Sequence, residues 1–273
     1  MTFDYSITFA CFNSVAYTRA CVESFVKVGT PLDRLVVVDN GSTDDTRQYL
    51  STLDLGGRIY NKDNLACGVA WNQGILHQQA EWTVVMNNDL IVSPQWIEKL
   101  IQTAISNNLK VISPARIDGP LDYDFDVFSR ESSDKMGSTL RLATQHAVCV
   151  CIHKSVFLEV GFFRATPRLL GFEDAIFFNE LKLADVKRAI CGSVWLHHFG
   201  SVTQKEMKKK LGQSEKDDLL KVNDRQLLQQ SWLERKISRF SRKRQESAWR
   251  ANELKAHGMT LIGERSAQGF IWH

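Results

Sequence analysis

Val84-Val85-Met86-Asn87-Asn88-Asp89 is an apolar run that stops abruptly in two amides and a carboxylate. A strand buried on both faces of a parallel sheet reads as such a run. In open α/β sheets ligands bind beyond the carboxyl ends of the strands, so the polar tip is where a site would stand. A carboxylate there can hold a divalent cation, and the cation can hold a diphosphate. The plainer reading of Asn87, Asn88 and Asp89 is a turn, since Asn and Asp favour turns on their own account. The neighbouring segments shift the balance towards a site.

Leu35-Val36-Val37-Val38 ends the same way, in Asp39-Asn40-Gly41-Ser42-Thr43-Asp44-Asp45-Thr46. A buried strand, a polar loop with Gly and a helix start rich in Ser, Thr and Asp make a βα unit. Asp39 would stand at the strand tip, able to accept hydrogen bonds from a ribose or base; a plain capped loop is the alternative. Working outward, the pattern predicts a strand over Tyr5 to Ala10, a polar loop over Cys11 to Ser14 and a helix over Val15 to Val28. A helix from about Asp44 to Leu53, a short strand over Arg58 to Tyr60 and a helix over Val69 to Gln79 follow. After the strand Trp82 to Met86, Pro94 opens a helix to about Asn107, with Ser93 as its cap. This alternation predicts an α/β fold, a mostly parallel sheet flanked by helices on both faces.

The chain has 273 residues, 44% of them hydrophobic and 24% charged, which suffices for one large domain or a domain with an appendage. No window reaches eighteen uninterrupted apolar residues, so no transmembrane helix is expected. Met1-Thr2-Phe3-Asp4 lacks the basic start and apolar core of a secretion signal. The six cysteines, Cys11, Cys21, Cys67, Cys149, Cys151 and Cys191, contain no CxxC pair, so the usual zinc spacing is missing. Cys149 and Cys151 would share one face of a strand and pack as small apolar residues. Reduced thiols in a reducing compartment are the simplest reading, and a cytoplasmic location is expected.

These segments resemble, in order, the motifs of family 2 of the inverting, nucleotide-sugar-dependent glycosyltransferases, which have the GT-A fold. Phe9-Ala10-Cys11-Phe12-Asn13 resembles the family's first strand and its Asn-containing loop. Val36 to Asp44 resembles its nucleotide-binding loop, with Asp39, Asn40 and Gly41 on the nucleotide. Asn64-Leu65-Ala66-Cys67-Gly68-Val69-Ala70-Trp71-Asn72-Gln73-Gly74 resembles its N-x-G-x-x-x-A-x-N-x-G pattern. Asn87, Asn88 and Asp89 stand where the family has its metal-binding DxD motif. Gly171-Phe172-Glu173-Asp174 resembles the segment with the catalytic base, and His198-Phe199-Gly200-Ser201-Val202-Thr203 a late motif that closes on the nucleotide. The resemblance implies a catalytic domain over residues 1–204. It implies a donor site at Ala10, Phe12, Asn13, Asp39, Asn40, Gly41, Asn64, Gly68, Asn72, Asn87, Asn88 and Asp89. Asp89 and His198 would hold a divalent cation, Mn2+ or Mg2+, and a UDP- or dTDP-sugar would be the donor. Asp174 would be the general base with Glu173 beside it.

Two departures stand out. The first DxD position is Asn87, a variant most similar to a rhamnosyltransferase-like branch. After Asp174 the family continues with a second acid and a base, whereas this chain has Ala175-Ile176-Phe177-Phe178-Asn179-Glu180. Each site residue also has a plainer reading. Glu173 could orient an acceptor hydroxyl or cap the helix that begins near Ala175. Asn64 could cap a turn that Gly68 permits, or the helix start there could bind a phosphate or sugar hydroxyl through free N–H groups. Asn72 and Gln73 would divide between the donor and solvent. His198 is favoured over His197 as the metal or diphosphate contact, and the reverse stays open. The chemistry is the same for any such site. A cation stabilises charge on the leaving diphosphate, while a carboxylate takes the proton of the attacking hydroxyl.

Residues 205–273 differ in character. From Lys205 to Lys255 there are 15 Lys and Arg against 8 Asp and Glu, about +7, whereas the whole chain is +3. Trp232 to Arg244 mixes aromatics with dense basic residues, and Leu228, Trp232, Arg235 and Arg239 fall near one helical stripe. This predicts a basic, mainly helical C-terminal extension, either a solvated face or an attachment to an anionic membrane surface or acidic glycan. Nucleic acid is not expected, because no recognition motif accompanies the charge. Gly258 to His273 reads as flexible or as docking on another subunit of a homo-oligomer. The expected acceptor is a saccharide or lipid-linked glycan at the inner face of a membrane. Two other readings compete. A sugar nucleotidyltransferase would need a basic Gly-rich loop after the first strand, where only Arg19 is offered. A binding module with a decayed site is motivated by Asn87 and the interrupted acidic motif.

Overall fold

A computed structural model describes residues 3–165, 173–200 and 231–273. The first half runs β1 (Tyr5–Cys11), α1 (Val15–Val28), β2 (Leu35–Asp39), α2 (Thr46–Ser51), β3 (Gly57–Tyr60), α3 (Cys67–His77), β4 (Trp82–Met86), β5 (Leu90–Val92) and α4 (Trp96–Ser106). It continues with β6 (Val111–Asp118), α5 (Phe125–Met136), β7 (Leu140–Leu142), β8 (Cys149–His153), α6 (Lys154–Val160), α7 (Glu173–Leu183) and β9 (Arg188–His198). The chain closes with α8 (Trp232–His257), β10 (Ile262–Ser266) and β11 (Gly269–Trp272).

One sheet has the order β11-β10-β6-β8-β4-β1-β2-β3, with β9 beside β6 and with β5 and β7 on β9. Parallel pairing holds through β3, β2, β1 and β4, as the alternation predicts. Beyond β4 the sheet is mixed, because β8 runs antiparallel to both β4 and β6. Val84 and Met86 enter the core under α1 and α4, while Val85 enters the core under α3, α6 and α7. Burial on both faces is why this strand reads as a continuous apolar run. Phe25, Trp96 and Leu100 fill the first core; Trp71, Phe163 and Phe177 fill the second. Cys149 and Cys151 lie together in the first core, as their spacing implies, and all six cysteines are free thiols.

Several local expectations are corrected. Ser93 does not cap α4. It is buried, and the helix begins at Trp96 after Gln95 in the left-handed region, φ 56°. β5 holds Leu90–Val92 against β9 just before this turn. α2 begins at Thr46 rather than near Asp44, because Asp44 caps two helices. Its Oδ1 accepts from the Thr46 backbone N–H at 3.1 Å and its Oδ2 from that of Val15 at 3.1 Å. β6 carries a register shift at Pro114, which has no N–H to give the ladder.

The C-terminal segment is not helical throughout. β10 pairs in parallel with β6 and β11 closes a hairpin at the sheet's end. Thus residues 258–273, read as flexible or as docking on another subunit, dock on their own chain. Met259, Leu261, Phe270 and Trp272 pack on Ile117, Ile190 and Trp195. Arg141 of β7 and Glu253 of α8 form a buried two-pronged ion pair at 2.6 and 2.7 Å. Arg141 also donates to the carbonyl of His273 at 3.1 Å, and Glu253 accepts from the Leu261 backbone N–H at 2.9 Å. Gly171, Phe172, Ser201, Val202, Thr203, Leu228, the boundary at residues 204–205 and the basic stretch up to residue 230 lie outside the described residues. Among the described residues no helix is long and apolar enough to cross a membrane.

Candidate active site

The pairing directions gather five strand ends on one edge. β1, β2 and β4 are mutually parallel, and β6 is parallel to β4 through the antiparallel β8. β9 is parallel to β6. Asn13, Asp39, Asn87 to Asp89, Asp118 and His198 therefore stand at or just past the same carboxyl edge.

On the β1–β2 side the loops interlock. Asn13 takes φ 54° and accepts from the Thr43 backbone N–H at 2.8 Å, while its own N–H donates to Ser42 Oγ at 2.8 Å. Ala10 is half-buried in β1 and Phe12 is buried just past its end. Asp39 is fully buried and its carboxylate is engaged. Oδ1 accepts from the Ser42 backbone N–H at 3.1 Å and Oδ2 from Arg47 Nε at 2.5 Å. Asn40 bridges to the next loop, donating to Asn64 Oδ1 at 2.9 Å and accepting from the Leu65 backbone N–H at 3.0 Å. Gly41 is required on two counts. Its φ is 88°, and a Cβ there would meet the Asp63 carbonyl carbon at 2.9 Å.

The α3 motif serves packing more than the sequence suggests. Asn72 is tied to the backbone of Phe163, donating at 2.7 Å and accepting at 3.1 Å. Gln73 exchanges hydrogen bonds with Asn61 at 2.8 and 2.9 Å. Both side chains are half-buried and held by these bonds. Gly68 lies against Glu173, whose Cβ would be 2.9 Å from any added Cβ. The buried Glu173 carboxylate meets the N–H groups of Gly68 and Cys67, so it sits at the first turn of α3 rather than over Ala175. Burial raises its pKa, and the neighbouring Asp174 adds to the rise. Asp174 is half-buried, accepts from the Ala175 backbone N–H at 2.8 Å, and is likewise pushed up by burial. Both acids flank Cys67, whose thiol burial drives up to about 12, too high for a thiolate nucleophile.

On the β4 side the three tip residues diverge. Asn87 donates its backbone N–H to Val148 at 2.9 Å. Asn88 turns to α1 and donates to Thr18 Oγ1 at 2.9 Å. Asp89 is buried and faces His198, with Oδ1 3.4 Å from Nε2. The two histidines face opposite ways. His198 faces Asp89, whereas His197 contacts the Tyr123 hydroxyl through Nδ1 at 3.0 Å. The other nitrogen of His198, Nδ1, lies 2.8 Å from Asp118 Oδ1, which is also 3.2 Å from Arg116 Nε. Burial opposes the charge on His198, but the two carboxylates outweigh it and raise its pKa to about 9. Burial likewise opposes the charge on Asp118, and its bonds to His198 and the charge of Arg116 hold it below the usual carboxylate range.

A cation fits these groups in a particular way. Among the described residues no cluster of three or more His, Cys, Asp or Glu side chains could hold a metal by itself. Asp89 Oδ1 and His198 Nε2 do converge at 3.4 Å, with the opposite ring nitrogen anchored by a carboxylate. As two protein ligands they would leave positions for phosphate oxygens and water, the usual arrangement for Mg2+ at substrate phosphates. Asp118 and Arg47 are the residues the sequence pattern does not single out. Asp118 had a signal: Val111 to Asp118 is a third strand that ends in an acid before Gly119, masked by Pro114 and Arg116.

Comparison with known proteins bears on this edge. Residues 6–165 match the sequence model described as glycosyl transferase family 2. The putative glycosyltransferase EpsH of Bacillus subtilis (strain 168) is 24% identical over 102 residues, 36% of this chain and 30% of that protein. Among solved structures, S. aureus TarS 1–349, known also in complex with UDP-GlcNAc, superposes with a TM-score of 0.56 at 14% identity, covering 76% of this chain and 64% of its own. The mannosyltransferase PcManGT of Pyrobaculum calidifontis, in complex with GDP-Man and Mn2+, gives 0.55 at 15% identity, over 72% of this chain and 57% of its own. This chain thus spans under two thirds of each of these proteins. The likeness to the solved structures is one of fold, the GT-A arrangement of a curled mixed sheet between helices.

Proposed function

Since this chain is a member of glycosyl transferase family 2, we propose that it transfers a sugar from a nucleoside-diphosphate donor to a hydroxyl of a saccharide or lipid-linked glycan, with inversion. The observation that carries the reading is the convergence of Asp89 Oδ1 and His198 Nε2 at 3.4 Å on the edge where five strands end. These two side chains would hold Mn2+ or Mg2+, which neutralises charge on the diphosphate as it leaves. Asp174 takes the proton of the acceptor hydroxyl as that oxygen attacks the anomeric carbon, and a single displacement inverts the centre. Asn13, Asp39, Asn40 and Gly41 line the nucleotide side, with Arg47 Nε already on Asp39. UDP- or dTDP-sugars are the proposed donors, and the Asn-Asn-Asp tip favours a rhamnosyltransferase-like preference.

Asp89→Ala is the direct test. It should abolish Mn2+-stimulated transfer, or donor hydrolysis, in a screen of nucleotide sugars, while the metal-free protein keeps its fold. Full activity in that variant, or wild-type activity that survives exhaustive chelation, would remove the cation from the reading. The competing reading is a binding module with a decayed site, favoured by Asn87 and by Phe178 and Asn179 after Asp174. Protection of the protein by a nucleotide sugar without any turnover would select it.

The first half of α8 supports a place at the inner face of the cell membrane. Leu233, Ile237 and Phe240 are exposed at helical spacing beside exposed Trp232. Lys236, Arg239, Arg242, Lys243 and Arg244 surround them, and α8 holds eight Lys and Arg against three Glu. A basic amphipathic helix of this kind suits anionic lipid. The protein should float with vesicles rich in anionic lipid, less so at high salt. Replacing Arg239, Arg242, Lys243 and Arg244 with Gln should release it. Equal binding by that variant, or no binding by the parent, would leave α8 as a surface for a second copy.

A further inference from the structure

Asp118 lies eighty residues from His198 in the chain and shares a rung with it in the sheet. β6 and β9 are in parallel register there, and the Gly119 backbone N–H donates to the His198 carbonyl at 2.9 Å just past the rung. Gly119 takes φ 114°, and a Cβ on it would come within 2.5 Å of the Arg265 carbonyl oxygen. The chain therefore leaves the strand at Asp118, whose side chain stays over the site edge. Its Oδ1 is held from two directions, by His198 Nδ1 at 2.8 Å and Arg116 Nε at 3.2 Å. Such a carboxylate has little freedom to turn away.

We infer that Asp118 is a positioning residue for the cation site: by accepting the Nδ1–H of His198 it turns Nε2 toward Asp89, where a bound cation takes the place of the Nε2 proton, released to solvent. The inference rests on the reading of Asp89 and His198 as cation ligands. A neutral imidazole has one N–H and one lone pair, so fixing the proton on Nδ1 leaves Nε2 as the only ligand atom. A ring free to change tautomer or rotate would present that atom only part of the time. Carboxylates behind ligating histidines elsewhere raise metal affinity in this way, by about 10–100-fold. The neighbouring His197 cannot substitute, because it lies on the opposite face of β9, where its ring packs on Tyr123 and Phe125.

The test measures binding of Mn2+ alone to the full chain, from the loss of its free paramagnetic signal. Asp118→Asn keeps size but can face His198 with an N–H, so it no longer enforces the tautomer. Its Mn2+ affinity should fall about 10–100-fold at a temperature where the metal-free variant remains folded. Asp118→Glu, which keeps the carboxylate, should bind more tightly than Asp118→Asn. The ¹⁵N spectrum of the Mg2+-loaded protein should show His198 protonated on Nδ1, and that signature should be lost in Asp118→Asn. Equal Mn2+ affinity in wild type and Asp118→Asn overturns the positioning role while leaving the cation site standing. No saturable Mn2+ binding by the wild type, or undiminished binding by Asp89→Ala, overturns the cation reading itself and this inference with it.

Discussion

Asp174→Asn should slow sugar transfer by about 10²–10⁴-fold, the range for loss of a general base. Asparagine keeps the size and can still accept from the Ala175 N–H, but it cannot take the acceptor's proton. Nucleotide binding should hardly change, because the proposed donor-binding residues lie between Ala10 and Asp89 and not in α7. Burial raises the pKa of Asp174, so the carboxylate is protonated at a higher pH than an exposed aspartate. The acid limb of kcat/KM in the wild type should therefore lie above the ordinary aspartate range, with activity falling as pH drops through it. The sign for stability is opposite. A carboxyl whose native pKa is raised costs stability at neutral pH and regains it in acid. Asp174→Asn should consequently be no less stable than wild type at neutral pH. Steady-state kinetics, nucleotide titration and melting separate these claims. Lost donor binding with turnover preserved would reassign Asp174.

Arg141→Ala should destabilise the protein by about 3–5 kcal/mol, the usual cost of removing one partner of a buried pair. Both side chains are about 5% exposed, so water cannot replace the guanidinium. Glu253 would keep only the Leu261 N–H, and the His273 carbonyl would lose a donor. Replacing both members with apolar residues should cost far less, because no charge is left stranded. Denaturant titration of the single and double variants measures the difference. A loss under about 1 kcal/mol for Arg141→Ala, no more than an ordinary substitution, would mean that the C-terminal hairpin holds without this clamp. Hydrogen exchange in β10 should rise first, since the pair joins α8 and the chain end to β7.

The residue pattern by itself determined what depends on near neighbours. A strand buried on both faces is apolar almost throughout, so β2 and β4 and their acidic tips could be read directly. Helical spacing placed α1 at its observed bounds and α3 within two residues of them. Cys149 and Cys151 on one face followed from the two-residue period of a strand. Only the tertiary structure decided which polar groups meet. Asp44 caps α1 from 29 residues away, and Asp118 holds His198 from eighty. Arg141 and Glu253 pair across 112 residues, and residues 258–273 become a hairpin at the sheet's end. A strand's hydrophobicity reports how deeply it is buried and leaves open which strand lies beside it. A carboxylate's role is set by the cation or N–H that the fold brings within about 3 Å, and those partners come from strands whose order emerges only when distant pairings close the sheet.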